Sequence, residues 1–140
     1  SYTIIYEDGE LYIVSSQETR MGGGIGHCTV KNKTFSYSMT RSQAEAALKA
    51  INVGEGATKS LETLLLAALG GPVGSVVGLS VSVILNFIGG ESTYVSHLKS
   101  FLNSGKSVAY FKFDTHCVNR GTMYGDPMYD YVVDDVRMTY

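Results

Sequence analysis

Charge is scarce in this sequence, and what there is lies scattered. Asp, Glu, Lys and Arg make up 17% of the 140 residues, below the quarter usual in soluble domains. Hydrophobic residues make up 44%, so the chain is not a disordered, self-repelling tail. The eleven Lys and Arg residues form no run, and the net charge is −2. A nucleic-acid partner held by a general basic patch is therefore not expected. Tryptophan is absent, and Cys28 and Cys117 are the only thiols. Internal repeats and low-complexity linkers are absent too. The first residues carry no secretion leader, as expected where a leader has been removed or the chain trimmed ahead of Ser1.

Familiar catalytic motifs are also missing. Met21 to Gly26 is glycine-rich, but it precedes a strand-like segment and lacks the Lys-Ser/Thr pair. A phosphate-binding loop needs a following helix N-terminus. Asp126, Asp130, Asp134 and Asp135 lack EF-hand spacing, and read as a solvated acidic edge that discourages strand-to-strand association. Cys28 has none of the helix-start setting that activates a thiol. No cofactor is expected, and catalysis is not the leading reading.

What is present has a clear order. Tyr2 to Glu7 and Glu10 to Val14 are rich in β-formers, with Asp8-Gly9 between them. Asp-Gly supplies the positive φ angles of a type I′ turn, so a tight hairpin is predicted. His27 to Val30 and Thr34 to Met39 suggest a second hairpin, turning at Lys31-Asn32-Lys33. The period then changes. Thr40 with Gln43, or Ser42 with Glu45, has capping-box spacing. Ala44, Ala47, Leu48 and Ile51 follow at helical intervals, closing near Gly54. Further helices are predicted over about 59–69, from Pro72 to about Ile88, and from a Ser92 cap with Val95, Leu98, Phe101 and Leu102 inward. Strands return at Ser107 to about Val118 and from Met128 to Tyr140, with a loop over 121–127 and a bulge at Asp134-Asp135.

Strands, helices, strands is the order of an α+β fold with an antiparallel sheet, not of alternating βαβ units. The expected organisation is one domain over 1–140: β-hairpins in 1–39, a helical insert in 40–105 and C-terminal strands in 106–140. The sheet joins N- and C-terminal strands, packed with about four central helices.

The insert holds an apolar, glycine-rich helical pair. No charged side chain occurs from Thr63 to Gly90, a run of roughly 28 residues against the ~20 of a membrane helix. Pro72 and Gly70, Gly71, Gly74 and Gly78 divide it. The pieces would be roughly 16 and 24 Å long at 1.5 Å per residue, short of a ~30 Å hydrocarbon core. A simple transmembrane anchor is thus not expected. One reading is a core helix pair wrapped by its neighbours, because a helix apolar all round is buried somewhere. The other is a concealed membrane-active hairpin. Gly70, Gly74 and Gly78 have the small-xxx-small spacing that lets helices approach in lipid, although each glycine costs ~1 kcal/mol against alanine in a helix. Leu61, Leu65, Leu69, Leu85 and Ile88 would supply its apolar bulk.

Two His-Cys dipeptides, His27-Cys28 and His116-Cys117, fall in strand-like segments. Adjacent strand residues point to opposite faces, so a four-ligand Cys₂His₂ metal site is disfavoured. Cys28 and Cys117 are expected to form a disulfide, which implies an oxidising compartment. His27 and His116 would then share the other face with Asp114, two residues before His116. That trio has the composition of a two-His, one-carboxylate metal or acid–base cluster, or of a pH switch.

In general plan, a β-framed domain hiding an apolar helix resembles secreted killer toxins and bacteriocin-like proteins, though no residue motif carries the likeness. The expected function is a secreted, extracellular, membrane-active antimicrobial or killer-type toxin. It would hide the glycine-rich hairpin and permeabilise a target-cell membrane, with oligomers formed in the membrane. The first alternative is a secreted non-lytic binding module (effector, inhibitor or adhesin) that meets a protein receptor through Tyr6, Tyr12, Tyr110, Tyr129 and Tyr131. The second is a small enzyme or metal protein using His27, Asp114 and His116.

Overall fold

The computed structural model describes residues 2–15, 28, 31–69, 80–123 and 126–140. Its elements run β1 (Tyr2–Glu7), β2 (Glu10–Ser15), β3 (Asn32–Thr40), α1 (Arg41–Asn52), α2 (Ala57–Leu69), α3 (Val81–Ile88), α4 (Glu91–Asn103), β4 (Val108–Met123) and β5 (Asp126–Thr139). The strands form one five-stranded antiparallel sheet in the order β1-β2-β5-β4-β3. The fold is α+β, with N- and C-terminal strands in one sheet and all four helices between β3 and β4. Contacts group the residues into two compact units. The first holds β1, β2, the start of β3, the end of β4 and the start of β5. The second holds the rest of those three strands and the helices.

In the first unit, Asp8 (φ 52°) and Gly9 (φ 81°) make the tight turn that pairs Glu7 with Glu10. Most residues resist positive φ and glycine does not, which is why Asp-Gly works here. β2 then pairs with β5, Tyr12 opposite Val132 and Ile13 opposite Tyr131. Both faces of these strands bury side chains. Ile4, Leu11, Ile13 and Tyr131 are buried, while Ile5, Tyr12 and Val14 cluster with Val118 and Val132. Aromatic contacts join the two outermost strands. Tyr2 of β1 packs edge-on against Phe35 of β3 (4.9 Å), and Phe35 against Tyr131 of β5 (5.3 Å). The Lys33 ammonium sits over all three rings, at 4.8 Å from Phe35, 5.2 Å from Tyr2 and 5.8 Å from Tyr131. Ring faces are negative, so they favour a cation there.

The second unit is built on helices. α1 starts at a complete capping box: the Thr40 hydroxyl accepts from the Gln43 amide (3.2 Å), and the Gln43 side chain accepts from the Thr40 amide (2.9 Å). Of the two spacings in the sequence, Thr40/Gln43 forms the cap, and Ser42 and Glu45 lie inside the helix. The buried stripes are Ala44 and Ala47 of α1; Leu61, Leu64 and Leu65 of α2; Val81, Ile84 and Ile88 of α3; and Tyr94, Leu98 and Phe101 of α4. Met39, Ala109, Phe111, Phe113, Val136 and Met138 complete this core from the strands. Arg41 opens α1 and closes α4. Its guanidinium donates to the carbonyls of Leu102 (2.6 Å) and Lys106 (2.9 Å), satisfying an acceptor that the end of a helix leaves unpaired.

Several local expectations are corrected. Lys31-Asn32-Lys33 is not a turn: β3 starts at Asn32, and the Cys117 amide donates to Lys31 O (2.8 Å). The expected partner arm, 27–30, lies outside the described residues except for Cys28. The helix expected from Pro72 has its described part only from Val81, because Ser80 is not helical; residues 70–79 lie outside the described residues. α4 begins one residue before Ser92, after Gly90, with no side-chain cap. Its inner face includes Tyr94, which finds a polar partner for its hydroxyl. The expected loop at 121–127 is mostly strand, with β4 reaching Met123 and β5 starting at Asp126. Gly121 (φ 112°) donates its amide to Asn119 Oδ1 (2.7 Å), an irregularity that glycine tolerates within a strand. Pro127 sits next to a strand start, where its missing N–H is tolerated. At Asp134 and Asp135 two successive residues are exposed, and burial changes parity from Tyr131 and Val133 to Val136 and Met138. A one-residue slip of this kind is what a bulge produces.

Candidate functional site

Cys28 and Cys117 form a disulfide, with Cα atoms 6.4 Å apart and a sequence separation of 89. That separation encloses all the described helices. Both cysteines are half-buried, in the first unit. The bridge is consistent with an extracellular or secreted protein, since reducing compartments keep such thiols open.

Of the expected hairpin residues, Leu61, Leu65 and Ile88 are buried, and Leu69 and Leu85 are half-buried. Gly70, Gly71, Pro72, Gly74 and Gly78 lie outside the described residues. α2 and α3 pack against each other within the second unit. At 13 and 8 residues they extend roughly 20 and 12 Å. Among the described residues, no helix is long and apolar enough to cross a membrane. Ser60 of α2 makes two buried polar contacts. The Ser60 hydroxyl donates to Ala47 O (2.7 Å), so its lone pair is left to accept from the Tyr94 hydroxyl (2.8 Å). All three elements, α1, α2 and α4, meet there. Burial pushes the Tyr94 phenol up to about 12.

The expected histidine cluster is only partly visible. His116 Nδ1 lies 2.7 Å from Asp134 Oδ1, both well exposed. Asp114 instead accepts from the Thr34 hydroxyl (2.7 Å). His27 lies outside the described residues. Among the described residues, no group of three His, Cys, Asp or Glu could hold a metal.

A different charged cluster was not foreseen. Arg120 of β4 reaches Glu7 of β1 through Nη2 (3.0 Å) and Asp130 of β5 through Nη1 (3.0 Å). Its guanidinium lies 4.3 Å from the Tyr12 ring centre, and the Tyr12 hydroxyl donates to Glu10 Oε2 (2.7 Å). Asp130 is 1% exposed, and its Oδ1 has no hydrogen-bond partner. Burial raises the Asp130 carboxyl above its ordinary range; Arg120 opposes that rise, and the Glu7 charge adds to it. Burial, then the Glu10 hydrogen bond and charge, push Tyr12 up to about 12. The only sequence signal was charge at strand positions, and nothing local says that one arginine would bridge three strands.

Two of the tyrosines expected to form a contact surface, Tyr12 and Tyr131, are buried. Of the other three, Tyr110 is exposed (39%) and Tyr6 and Tyr129 are half-buried; Tyr2 (40%) and Tyr140 (44%) are exposed as well. No protein-family model, curated protein or solved structure matches the chain.

Proposed function

We propose that the chain is a secreted, membrane-active toxin of antimicrobial or killer type, with the α2–α3 region as its membrane-contacting element. One observation carries this reading: a charge-free stretch from Thr63 to Gly90 whose described side chains include a fully buried set, Leu64, Leu65 and Ile84. Removing such side chains from water is worth ~1.5–3 kcal/mol each. Lipid tails are as apolar as leucine, so a bilayer returns most of what leaving the core costs. Any charge in the stretch would make that exchange far costlier. The disulfide closes the loop of chain that carries this stretch in the oxidised protein.

The test is dye release from lipid vesicles by the oxidised protein at neutral and acidic pH, with and without reductant. Release that rises on reduction or acidification is the expected result. With the disulfide confirmed by mass, no release from any lipid composition under any of these conditions would reject the direct lytic mechanism. The observation favouring a secreted binding module instead is the exposure of Tyr2, Tyr110 and Tyr140, whose amphipathic rings suit protein contacts.

A further inference from the structure

We propose that Asn32 is an acceptor for an N-linked oligosaccharide. Asn32-Lys33-Thr34 is the only place in the sequence where asparagine is followed, two residues on, by Ser or Thr. That triplet is the requirement for transfer in a secretory pathway, provided the middle residue is not proline. The proposal rests on the secretion half of the proposed function, not on membrane activity.

The structure adds what the triplet alone lacks. Asn32 follows the bend at Lys31 and is the first residue of β3, and it is exposed. Strand alternation separates the triplet into two faces. Lys33 and Phe35 turn to the aromatic side, where Lys33 lies over the rings of Tyr2, Phe35 and Tyr131. Asn32 and Thr34 are exposed on the other side. A sugar on Asn32 would therefore displace no core side chain. Among the described strands, β3 is at one end of the sheet with β4 as its neighbour. Open strand edges invite pairing with other chains, and proteins blunt them with bulk or charge. A bulky, hydrated glycan at the first residue of this strand serves that purpose.

The chemistry is a single displacement. The Asn32 side-chain amide nitrogen attacks the anomeric carbon of a lipid-pyrophosphate-linked oligosaccharide, supplied with its transferase by the secretory pathway. The N–C bond forms as the bond from that carbon to the pyrophosphate oxygen breaks. The lipid pyrophosphate leaves, and the amide gives up one proton to a base.

The experiment is to secrete the full chain from a eukaryotic host and treat it with a glycan amidase that converts the occupied asparagine to aspartate. A mobility shift, with Asp in place of Asn at position 32 by peptide mass, is expected. Asn32→Gln and Thr34→Ala should both lose the shift completely, and Thr34→Ser should retain it because either hydroxyl residue completes the triplet. Thr34→Ser also keeps a donor for Asp114, so misfolding is separable from loss of the acceptor. Secreted, disulfide-bonded protein with unmodified Asn32 overturns the proposal. The vesicle assay on the same preparation keeps the two readings apart. Dye release without a glycan rejects only the acceptor, and a glycan without dye release rejects only the lytic mechanism.

Discussion

The two units of this chain are stabilised by different physics. The first combines a disulfide, a lysine over three aromatic rings and an arginine shared by two carboxylates, one of them buried. The second has an apolar core with a short hydroxyl relay, Tyr94 to Ser60 to Ala47, among its described residues. Bonds of the first kind respond to reductant and pH. Burial of the second kind responds to neither, and weakens only where water is replaced by something equally apolar. The lesson is that the same chain can be sensitive in its frame and insensitive in its helical insert.

Three substitutions sharpen or break that contrast. The largest effect is expected from replacing Cys28 and Cys117 together by Ser. Closing so long a loop is worth about 4–5 kcal/mol in the chain-entropy model, so denaturant unfolding should show a loss approaching that figure. Reduction of the parent should reproduce it. An unchanged midpoint would mean that the frame does not depend on the bridge.

Next is Leu65→Ala, which empties part of the second unit's core. A loss of about 3 kcal/mol is expected, within the range for buried leucine. It should be the same at neutral and acidic pH and in either redox state. A strongly pH-dependent loss would show that the insert is not as indifferent as its composition implies.

The smallest of the three is Arg120→Met. It leaves Asp130 buried without its counter-charge, and removing one partner of such a pair is costly. Arg120 is itself partly exposed, at 17% for its side chain, so about 2 kcal/mol at neutral pH is a fair expectation. The pH dependence follows from the raised Asp130 carboxyl. A carboxyl raised on folding binds its proton more readily folded than unfolded. Its contribution to stability is therefore full below the ordinary carboxylate value, and is lost as pH rises through the raised one. Without Arg120 the rise is larger, so the penalty of the variant should shrink as pH falls through that window. Denaturant midpoints at pH 7 and about pH 4 measure it; a penalty that grows in acid would reverse the assignment.

How legible the molecule was depends on how local each instruction is. Asp8-Gly9 specifies its turn through its own φ angles, and Thr40 and Gln43 cap α1 across a single helical turn. Both could be read directly. The disulfide was legible because there were only two cysteines to pair. Where an element's limit depends on distant partners, the sequence misled. The loop expected at 121–127 is drawn into strand by the pairing of β4 with β5, which overrides its Gly and Pro. α4 starts ahead of Ser92, and it is Tyr94, not Val95, that reaches the core, where Ser60 of another helix awaits its hydroxyl. The Arg120 cluster is the extreme case. Glu7, Arg120 and Asp130 acquire meaning only through a strand order that places β5 between β2 and β4.

That strand order also sets a timetable. The N-terminal hairpin docks on β5, with Tyr12 opposite Val132, and Val136 and Met138 from the same strand complete the helical unit's core. On a chain made from the N-terminus, neither unit can finish until β5 has emerged. The local contacts of the helices form early and the long-range pairings late. The helices can pack on one another once α4 has been made, but the core they share lacks Val136 and Met138 until β5 follows, and apolar surface left open in this way is prone to aggregate. The interval between the last helix and the last strand is therefore the stage of synthesis at which this chain is most exposed to aggregation.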